Sequence, residues 1–363
     1  MKALVITEPG SAEVTEIEVP APGPDDVLVQ SYAVGICGSD VELYQGRRPA
    51  GYYRYPVIPG HEWSGVVAAV GARVQGIAPG DKVVAEGFLY CGVCPNCREG
   101  ATNLCEAGYD EIGFTRPGGM AEYVAVPARL IHVLPDDASL EEAALLEPAS
   151  VVAHGFLKAP PRPGAVVAVV GTGTSGLLAL QLARLYSPSA LVVVGLLAER
   201  LEFARQFGAT HTINLGREDA GERIRAISGG SGADLVFEGA GHTQAVIESL
   251  HLARRGGTVI LEGIAGAGTF LSVESDLFAF NQLTTHGIFG ANSAAWTYGV
   301  QLFRSGLLNL APLISHRFSL DEYQDALDLL EKRQAQTTPV TKVLLVHSQQ
   351  VGGVEAQSSA FCR

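Results

Sequence analysis

The stretch Val166-Val-Ala-Val-Val-Gly-Thr-Gly-Thr-Ser-Gly176 joins a short apolar run to a glycine-rich turn. Its first five residues are apolar and mostly β-branched, which is typical of a buried parallel strand. A helical pattern follows over residues 177–186. In this strand-turn-helix context, backbone amides and a helix N-terminus can hold a pyrophosphate. The sequence therefore predicts a dinucleotide site at Gly171, Thr172, Gly173, Thr174, Ser175 and Gly176.

Apolar strands alternate with helical stretches from about residue 155 until the segment 287–290. This alternation is the pattern of a doubly wound parallel sheet with helices on both faces. The inner strands are expected at 166–170, 191–194, 235–237 and 258–261.

The first 150 residues show a different pattern, with short β-like runs broken by Gly and Pro. Examples lie at 26–30, 65–70 and 81–85, and this density of turn signals predicts a β-rich, barrel-like domain. Residues 319–333 read as an amphipathic helix that we assign back to that domain. The expected organisation is a catalytic domain at 1–152 and 291–348, a dinucleotide domain at 153–290, and a flexible polar tail at 349–363.

Charge and hydropathy exclude several classes of partner. The net charge is -13 and the pI about 5.1, without the clustered Lys and Arg that nucleic-acid binding requires. No apolar run reaches the ~18 residues of a membrane span, and the N-terminal residues do not form a secretory signal. We therefore expect a cytoplasmic protein that acts on a small molecule, with no nucleic-acid or membrane partner.

Four of the six cysteines, namely Cys91, Cys94, Cys97 and Cys105, lie in one short loop segment. In a reducing compartment such a cluster indicates metal ligation rather than disulfides. Four thiolates complete a tetrahedral zinc shell and leave no open position, so the predicted site is structural.

A second set of metal-ligand side chains is dispersed along the chain. Cys37 lies in a Gly-Ile-Cys-Gly-Ser-Asp segment, His61 and Glu62 are adjacent, and Glu147 lies in a Leu-Glu-Pro segment. One sulfur, one nitrogen and two carboxylates suit a zinc ion that keeps a position for water or substrate. Two zinc ions per chain are therefore expected.

The order Gly-His-Glu, Cys-x-x-Cys-x-x-Cys, Leu-Glu-Pro and Gly-x-Gly-x-x-Gly resembles the zinc-dependent medium-chain dehydrogenase/reductase superfamily, over residues 1 to about 347. The segment 116–123 is similar to the threonine and sorbitol dehydrogenase branch. This resemblance implies an α/β fold with a GroES-like catalytic domain and a Rossmann domain, assembled as a homodimer or homotetramer. It also implies hydride transfer between NAD(P) and a secondary alcohol of the polyol, sugar or amino-alcohol type.

The resemblance also implies roles for single residues. Cys37, His61 and either Glu62 or Glu147 would hold the catalytic zinc, and Ser39 would relay the substrate proton. Asp40 would orient the imidazole ligand. Glu42 replaces a His that is common in the threonine and sorbitol branch and resembles the glucose dehydrogenase branch. Phe88 replaces a His of threonine dehydrogenases, which argues against threonine as the substrate.

The end of the second predicted inner strand bears on the choice of cofactor. An acidic residue about 20 positions beyond the glycine fingerprint binds the ribose of NAD, but this strand ends in Gly195. Arg200 is the nearby cation, which favours NADP over NAD. Ile288 and Phe289 are expected as further cofactor contacts.

Two alternative functions remain open from the sequence alone. One is a metal-independent enone or quinone reductase of the same fold, and the other is a non-catalytic zinc-containing binding protein. His154 fits a cofactor cleft and a core position equally well. Arg47 and Arg48 fit the substrate mouth or a solvated loop, and Cys362 is most simply an exposed thiol of the tail.

Overall fold

The computed structural model describes residues 1–331 and 340–347. The strands of these residues are β1 (Lys2–Glu8), β2 (Ser11–Glu16), β3 (Asp26–Ile36), β4 (Glu62–Val70), β5 (Lys82–Ala85), β6 (Tyr123–Pro127), β7 (Ile131–Val133), β8 (Val166–Val170), β9 (Ala190–Gly195), β10 (His211–Asn214), β11 (Ala233–Glu238), β12 (Ala253–Leu261), β13 (Thr284–Gly287), β14 (Ile314–Phe318) and β15 (Lys342–Val346).

The α-helices of the same residues are α1 (Gly38–Tyr44), α2 (Pro95–Arg98), α3 (Leu140–Ala143), α4 (Leu146–Lys158), α5 (Thr174–Arg184), α6 (Ala198–Ala204), α7 (Ala220–Ile227), α8 (Thr243–Leu252), α9 (Asp276–Asn281), α10 (Ser293–Arg304) and α11 (Tyr323–Glu331). None of them is long and apolar enough to cross a membrane.

Six parallel strands form the sheet that carries the glycine fingerprint, in the order β10-β9-β8-β11-β12-β13. All five residues of β8 are buried, as expected for a central strand that is covered by helices on both faces. The four inner strands predicted from the sequence are all present. This sheet order is that of a Rossmann fold, whose ligands bind beyond the carboxyl ends of the strands where the order reverses.

The fingerprint turn depends on close backbone packing. Gly171 adopts a φ of +116°, a conformation that L side chains rarely adopt. A Cβ on Gly176 would lie 2.2 Å from the carbonyl oxygen of Gly171, so only glycine lets α5 begin this close to β8. Gly173 precedes the first residue of α5 in an extended conformation, so the N-terminal amides of the helix face the carboxyl edge of the sheet.

The second sheet is built mainly from the N-terminal part of the chain. Its order is β14-β15-β3-β4-β5-β7, and β6 pairs with the N-terminal half of β3. Of the described strands in this sheet, only β14 and β15 come from beyond residue 310, and β15 runs antiparallel to β3. The mixed architecture confirms the predicted fold class. The pairing of β15 with β3 supports our proposal that residues 291–348 return to the catalytic domain.

The predicted helix at 319–333 begins with a single 3₁₀ turn at Leu320–Glu322, and α11 follows it directly. Its apolar face is buried as the periodicity predicts, through Leu320, Tyr323, Leu327 and Leu330. The end of that predicted helix and the tail with Cys362 lie outside the described residues.

Candidate active site and metal centres

The four clustered cysteines lie on a loop that follows β5 and contains the short helix α2. Their sulfur atoms are all within 4.8 Å of one another. Backbone amides point at the sulfurs: the N–H of Cys94 donates to Cys91 at 3.4 Å, and that of Cys91 donates to Cys105 at 3.3 Å. Amide donors of this kind stabilise thiolates, which are the form that binds zinc.

The acidities of these thiols also fit a cation among them. Hydrogen bonds from the amides of Val93 and Cys94 lower the pKa of Cys91 to about 6. Burial and hydrogen bonds with the neighbouring cysteines raise the pKa of Cys97 to about 12, and a cation bound among the four sulfurs would favour their thiolate forms. The donor set and its geometry therefore fit a closed, structural zinc site.

The dispersed set comes together at the end of β3 and the start of β4. Cys37 directly follows β3 and precedes α1, and Glu62 is the first residue of β4, directly after His61. One ligand atom from each of Cys37, His61 and Glu62 lies within 4.8 Å of the others. The imidazole and the carboxylate are buried while the thiol is partly accessible, which suits a metal that is reached by substrate from one side.

Asp40 connects the two segments of this set. Its Oδ2 accepts the Cys37 amide at 2.9 Å, and its Oδ1 lies 3.6 Å from Nδ1 of His61. Burial would raise the pKa of Asp40, but the nearby His61 lowers it below its usual value. Because Nδ1 faces a carboxylate, Nε2 is the ring nitrogen available to a metal, the arrangement expected for a zinc-bound histidine.

Glu62 forms a buried ion pair with Lys342, the first residue of β15. The distance from Oε2 to Nζ is 2.5 Å, and the side chains are 1% and 4% exposed. Gly35 makes room for this carboxylate, since a Cβ there would lie 2.1 Å from Oε2 of Glu62. Among the described residues, Lys342 is the ion-pair partner of this buried carboxylate, and its ammonium group offsets the carboxylate charge.

Glu147, the second residue of α4, is less closely associated with the set. It is partly buried and interacts electrostatically with His61 and Glu62, but it is not within 4.8 Å of the three grouped ligand atoms. Burial and the neighbouring Glu62 raise the pKa of Glu147 to about 8. The structure thus brings together Cys37, His61 and Glu62 and leaves Glu147 in the surrounding shell.

A polar cluster lies beside the imidazole, built from Arg48, Tyr109, Glu111 and Phe114. Arg48 donates to the Tyr109 hydroxyl at 2.7 Å and lies 3.6 Å above the ring of Phe114. The Tyr109 hydroxyl in turn donates to Glu111. The Phe114 ring packs against His61 with a centroid separation of 4.8 Å, so the cluster borders the candidate metal ligands.

The predicted cofactor residues lie along the carboxyl edge of the parallel sheet. Gly195 ends β9, and the Arg200 guanidinium donates to the carbonyl of Val340 at 3.0 Å. Ile288 is buried, and Phe289 belongs to an aromatic group with Phe88 and Tyr109.

His154 is 4% exposed, and its Nδ1 lies 2.9 Å from the carbonyl oxygen of Gly290. Burial lowers the pKa of His154. Of the two interpretations of this residue, the contacts support the structural one. The hydrogen bond of the neutral imidazole links α4 to the segment after β13.

Comparisons with known proteins agree with the two-sheet arrangement and with the binding of zinc. Residues 23–136 match the alcohol dehydrogenase GroES-like domain, and residues 175–305 match the zinc-binding dehydrogenase family. The chain is 35% identical over 334 residues to sorbitol dehydrogenase of Bacillus subtilis, covering 90% of this chain and 93% of that protein.

The chain belongs to the zinc-binding alcohol dehydrogenase family.

Two further members of the family illustrate the range of this likeness. Erythritol/L-threitol dehydrogenase of Mycolicibacterium smegmatis is 34% identical over 346 residues, covering 91% of this chain and 94% of that protein. A Sinorhizobium meliloti protein assigned as a zinc-binding dehydrogenase, solved with NADP, superposes with a TM-score of 0.86 at 33% identity, covering 95% and 98% of the two chains. As a member of this family, the chain is a zinc-dependent oxidoreductase that uses NAD(P).

Several residues of this dehydrogenase site were missed by sequence reasoning. Lys342 belongs to none of the motifs found in the sequence, and nothing in the sequence relates it to Glu62, which lies 280 positions away. Tyr109 and Glu111 lie in a loop without a motif. The one available signal was Arg48, a charged residue in a loop near Gly-His-Glu, whose partners could not be identified without the fold.

Proposed function

We propose that this dehydrogenase interconverts a secondary alcohol of the polyol or sugar type and its carbonyl compound, with NAD(P) as the hydride carrier. One observation carries the proposal: the fingerprint helix and the metal-ligand set meet at β15. The Thr174 hydroxyl donates to the carbonyl of Thr341 at 3.4 Å, and the adjacent Lys342 pairs with Glu62. A dinucleotide on α5 can therefore reach a substrate at the metal ligands.

Cys37, His61 and Glu62 would hold the catalytic zinc, with Glu147 as the other carboxylate of the site. When bound, zinc acts as a Lewis acid that acidifies the substrate hydroxyl, and the nicotinamide accepts the hydride. Asp40 orients the imidazole, and Lys342 holds Glu62 in place. Ser39, partly buried in the first turn of α1, would accept the hydroxyl proton and pass it outward.

The polar cluster supports a substrate with more than one hydroxyl group. Arg48 and Glu111 are 10% and 8% exposed and form an ion pair, with 3.7 Å between Nη2 and Oε2. Arg48 supplies N–H donors and Glu111 supplies acceptor oxygens. A hydroxyl neighbouring the reacting carbon can both donate and accept, so it would bind between these two groups. A simple apolar alcohol would make no polar contact with this pair and would gain less binding free energy.

We further propose NADP as the preferred cofactor. No carboxylate ends β9 to repel a 2′-phosphate, and Arg200 lies on the first turn of α6, which follows that strand. A test by Gly195→Asp alone would be ambiguous, because a Cβ at this position would lie 2.9 Å from Cγ2 of Thr172. Arg200→Ala is the cleaner variant, and it should lower the preference for NADP over NAD.

We propose that the protein is a homodimer or homotetramer. The short edge strand β13 has no further partner among the described strands, and Phe270 and Phe280, which precede it in the chain, are 88% and 72% exposed. An open sheet edge and large exposed apolar side chains each favour association with a second copy. Sedimentation at several concentrations would test this, and a monomer throughout would contradict it.

A substrate panel tests the proposed reaction. Polyols, aldoses, amino alcohols and simple secondary alcohols are each offered with NAD and NADP, and nicotinamide reduction is followed by absorbance. We expect polyols or sugars to give the highest kcat/KM. Arg48→Met should raise KM for them about tenfold, while the exposed neighbour in the control Arg47→Met should leave it unchanged. Highest activity on a simple alcohol would contradict the substrate class.

A further inference from the structure

Two carboxylates lie side by side at the carboxyl edge of the parallel sheet, apart from the metal-ligand sets. Glu238 ends β11 and is fully buried. Its Oε1 accepts the amides of Ala240 and Gly241 at 2.8 and 2.9 Å. Its Oε2 has no hydrogen-bond partner within the described residues. Glu262 directly follows β12, the neighbouring strand.

The second carboxylate is attached to the glycine fingerprint. The Ser175 hydroxyl donates to Oε1 of Glu262 at 3.2 Å, and Ser175 is the second residue of α5. The space between these groups is tight, since a Cβ on Gly239 would lie 3.3 Å from Cβ of Ser175 and 3.4 Å from Oε2 of Glu262. Glu262 is therefore fixed beside the turn that receives the dinucleotide.

Glu262 also lies toward the candidate metal ligands. Lys342, which pairs with Glu62, is close enough to Glu262 to lower its pKa. The hydride must pass between a dinucleotide held at α5 and a substrate held near Glu62. The nicotinamide half of the cofactor must therefore occupy the region that Ser175, Glu262 and Lys342 border.

Charge then distinguishes the two forms of the cofactor. The oxidised nicotinamide ring carries a positive charge and the reduced ring is neutral, so a nearby carboxylate stabilises the oxidised form more. Burial raises the pKa of Glu262 to about 7, with Ser175 opposing the shift and Glu238 adding to it. At pH 8 most of the carboxylate is therefore ionised.

We propose that Glu262, anchored by Ser175, is a positioning residue for the nicotinamide that makes this protein bind oxidised NAD(P) more tightly than the reduced form. The proposal rests on the proposed function, since it requires a dinucleotide at the fingerprint. It assigns a role to a residue that no motif identifies.

The test measures cofactor binding and not turnover. Dissociation constants of oxidised and reduced cofactor are determined by calorimetry on the zinc-loaded protein at pH 8, without substrate. Glu262→Gln should weaken binding of the oxidised form about fivefold or more and change binding of the reduced form less than twofold. Ser175→Ala should shift the same ratio in the same direction by less. Glu222→Gln removes an exposed charge on α7 and should change neither constant.

Equal weakening of both cofactor forms by Glu262→Gln, or no weakening of either, would overturn the proposal. If Glu262→Gln does not fold, Glu262→Asp keeps the charge and must keep the preference for the oxidised form; loss of that preference overturns the proposal as well. Failure of the natural protein to bind either form would instead refute the proposed function, so the two failures are distinguishable.

Discussion

The ion pair between Glu62 and Lys342 makes a sharp prediction about stability. Lys342→Met replaces the ammonium by an apolar side chain of similar length and leaves a carboxylate that is 1% exposed without its 2.5 Å partner. Removing one member of a buried pair costs about 3 to 5 kcal/mol, because the remaining charge is desolvated and uncompensated. We expect the free energy of unfolding in urea to fall by that amount in protein whose catalytic zinc has been removed by a mild chelator, because zinc held by Glu62 would otherwise compensate the charge.

A double-mutant cycle and an exposed pair complete this experiment. Glu62→Gln combined with Lys342→Met should cost clearly less than the sum of the single changes, since the orphaned charge is gone. Lys2→Met breaks the exposed pair with Asp321 and should leave stability unchanged, because water screens such pairs. If Lys342→Met costs no more than Lys2→Met, the ion pair does not hold Glu62 as we describe.

Three further predictions concern the fingerprint, the cysteine loop and the proton relay. Gly176→Ala should lower the free energy of unfolding by about 1 to 3 kcal/mol, because the added Cβ would collide with the backbone of Gly171. The control Gly173→Ala places its Cβ in open space and should not lower stability. Equal urea midpoints for the two variants would contradict this prediction. Cys97→Ser should remove about one zinc per chain and expose the loop to proteolysis, and unchanged zinc content would exclude Cys97 as a ligand. Ser39→Ala should lower kcat at least tenfold with zinc content unchanged, and normal turnover would refute the relay.

Much of the fold could be predicted from local patterns. The apolar run at 166–170 is β8 residue for residue, because a strand buried on both faces must be apolar throughout. Gly171 and Gly176 of the fingerprint are informative because a side chain at either position would meet neighbouring backbone, whereas Gly173 has open space. The cysteine cluster is equally local, since all four cysteines lie within one loop.

Other features depend on contacts between distant segments. The sequence named Glu62 and Glu147 as alternative ligands, but only the fold shows that Glu62 lies within 4.8 Å of the other ligand atoms while Glu147 lies outside that group. Arg48 and Glu111 belong to one polar cluster because two loops come together beside His61. No periodicity in the sequence predicts that contact. Ion pairs and substrate contacts of this kind follow from tertiary structure and not from local propensity.

Zinc content measured together with dinucleotide binding tests the central claim most directly. The natural protein should contain about two zinc ions per chain, and Cys37→Ser about one, because the open site loses a ligand while the closed four-thiolate site is intact. Cys37→Ser should bind NAD(P) with nearly unchanged affinity and show no nicotinamide reduction with any alcohol. Two zinc ions retained in an active Cys37→Ser protein would contradict the assignment of the catalytic site.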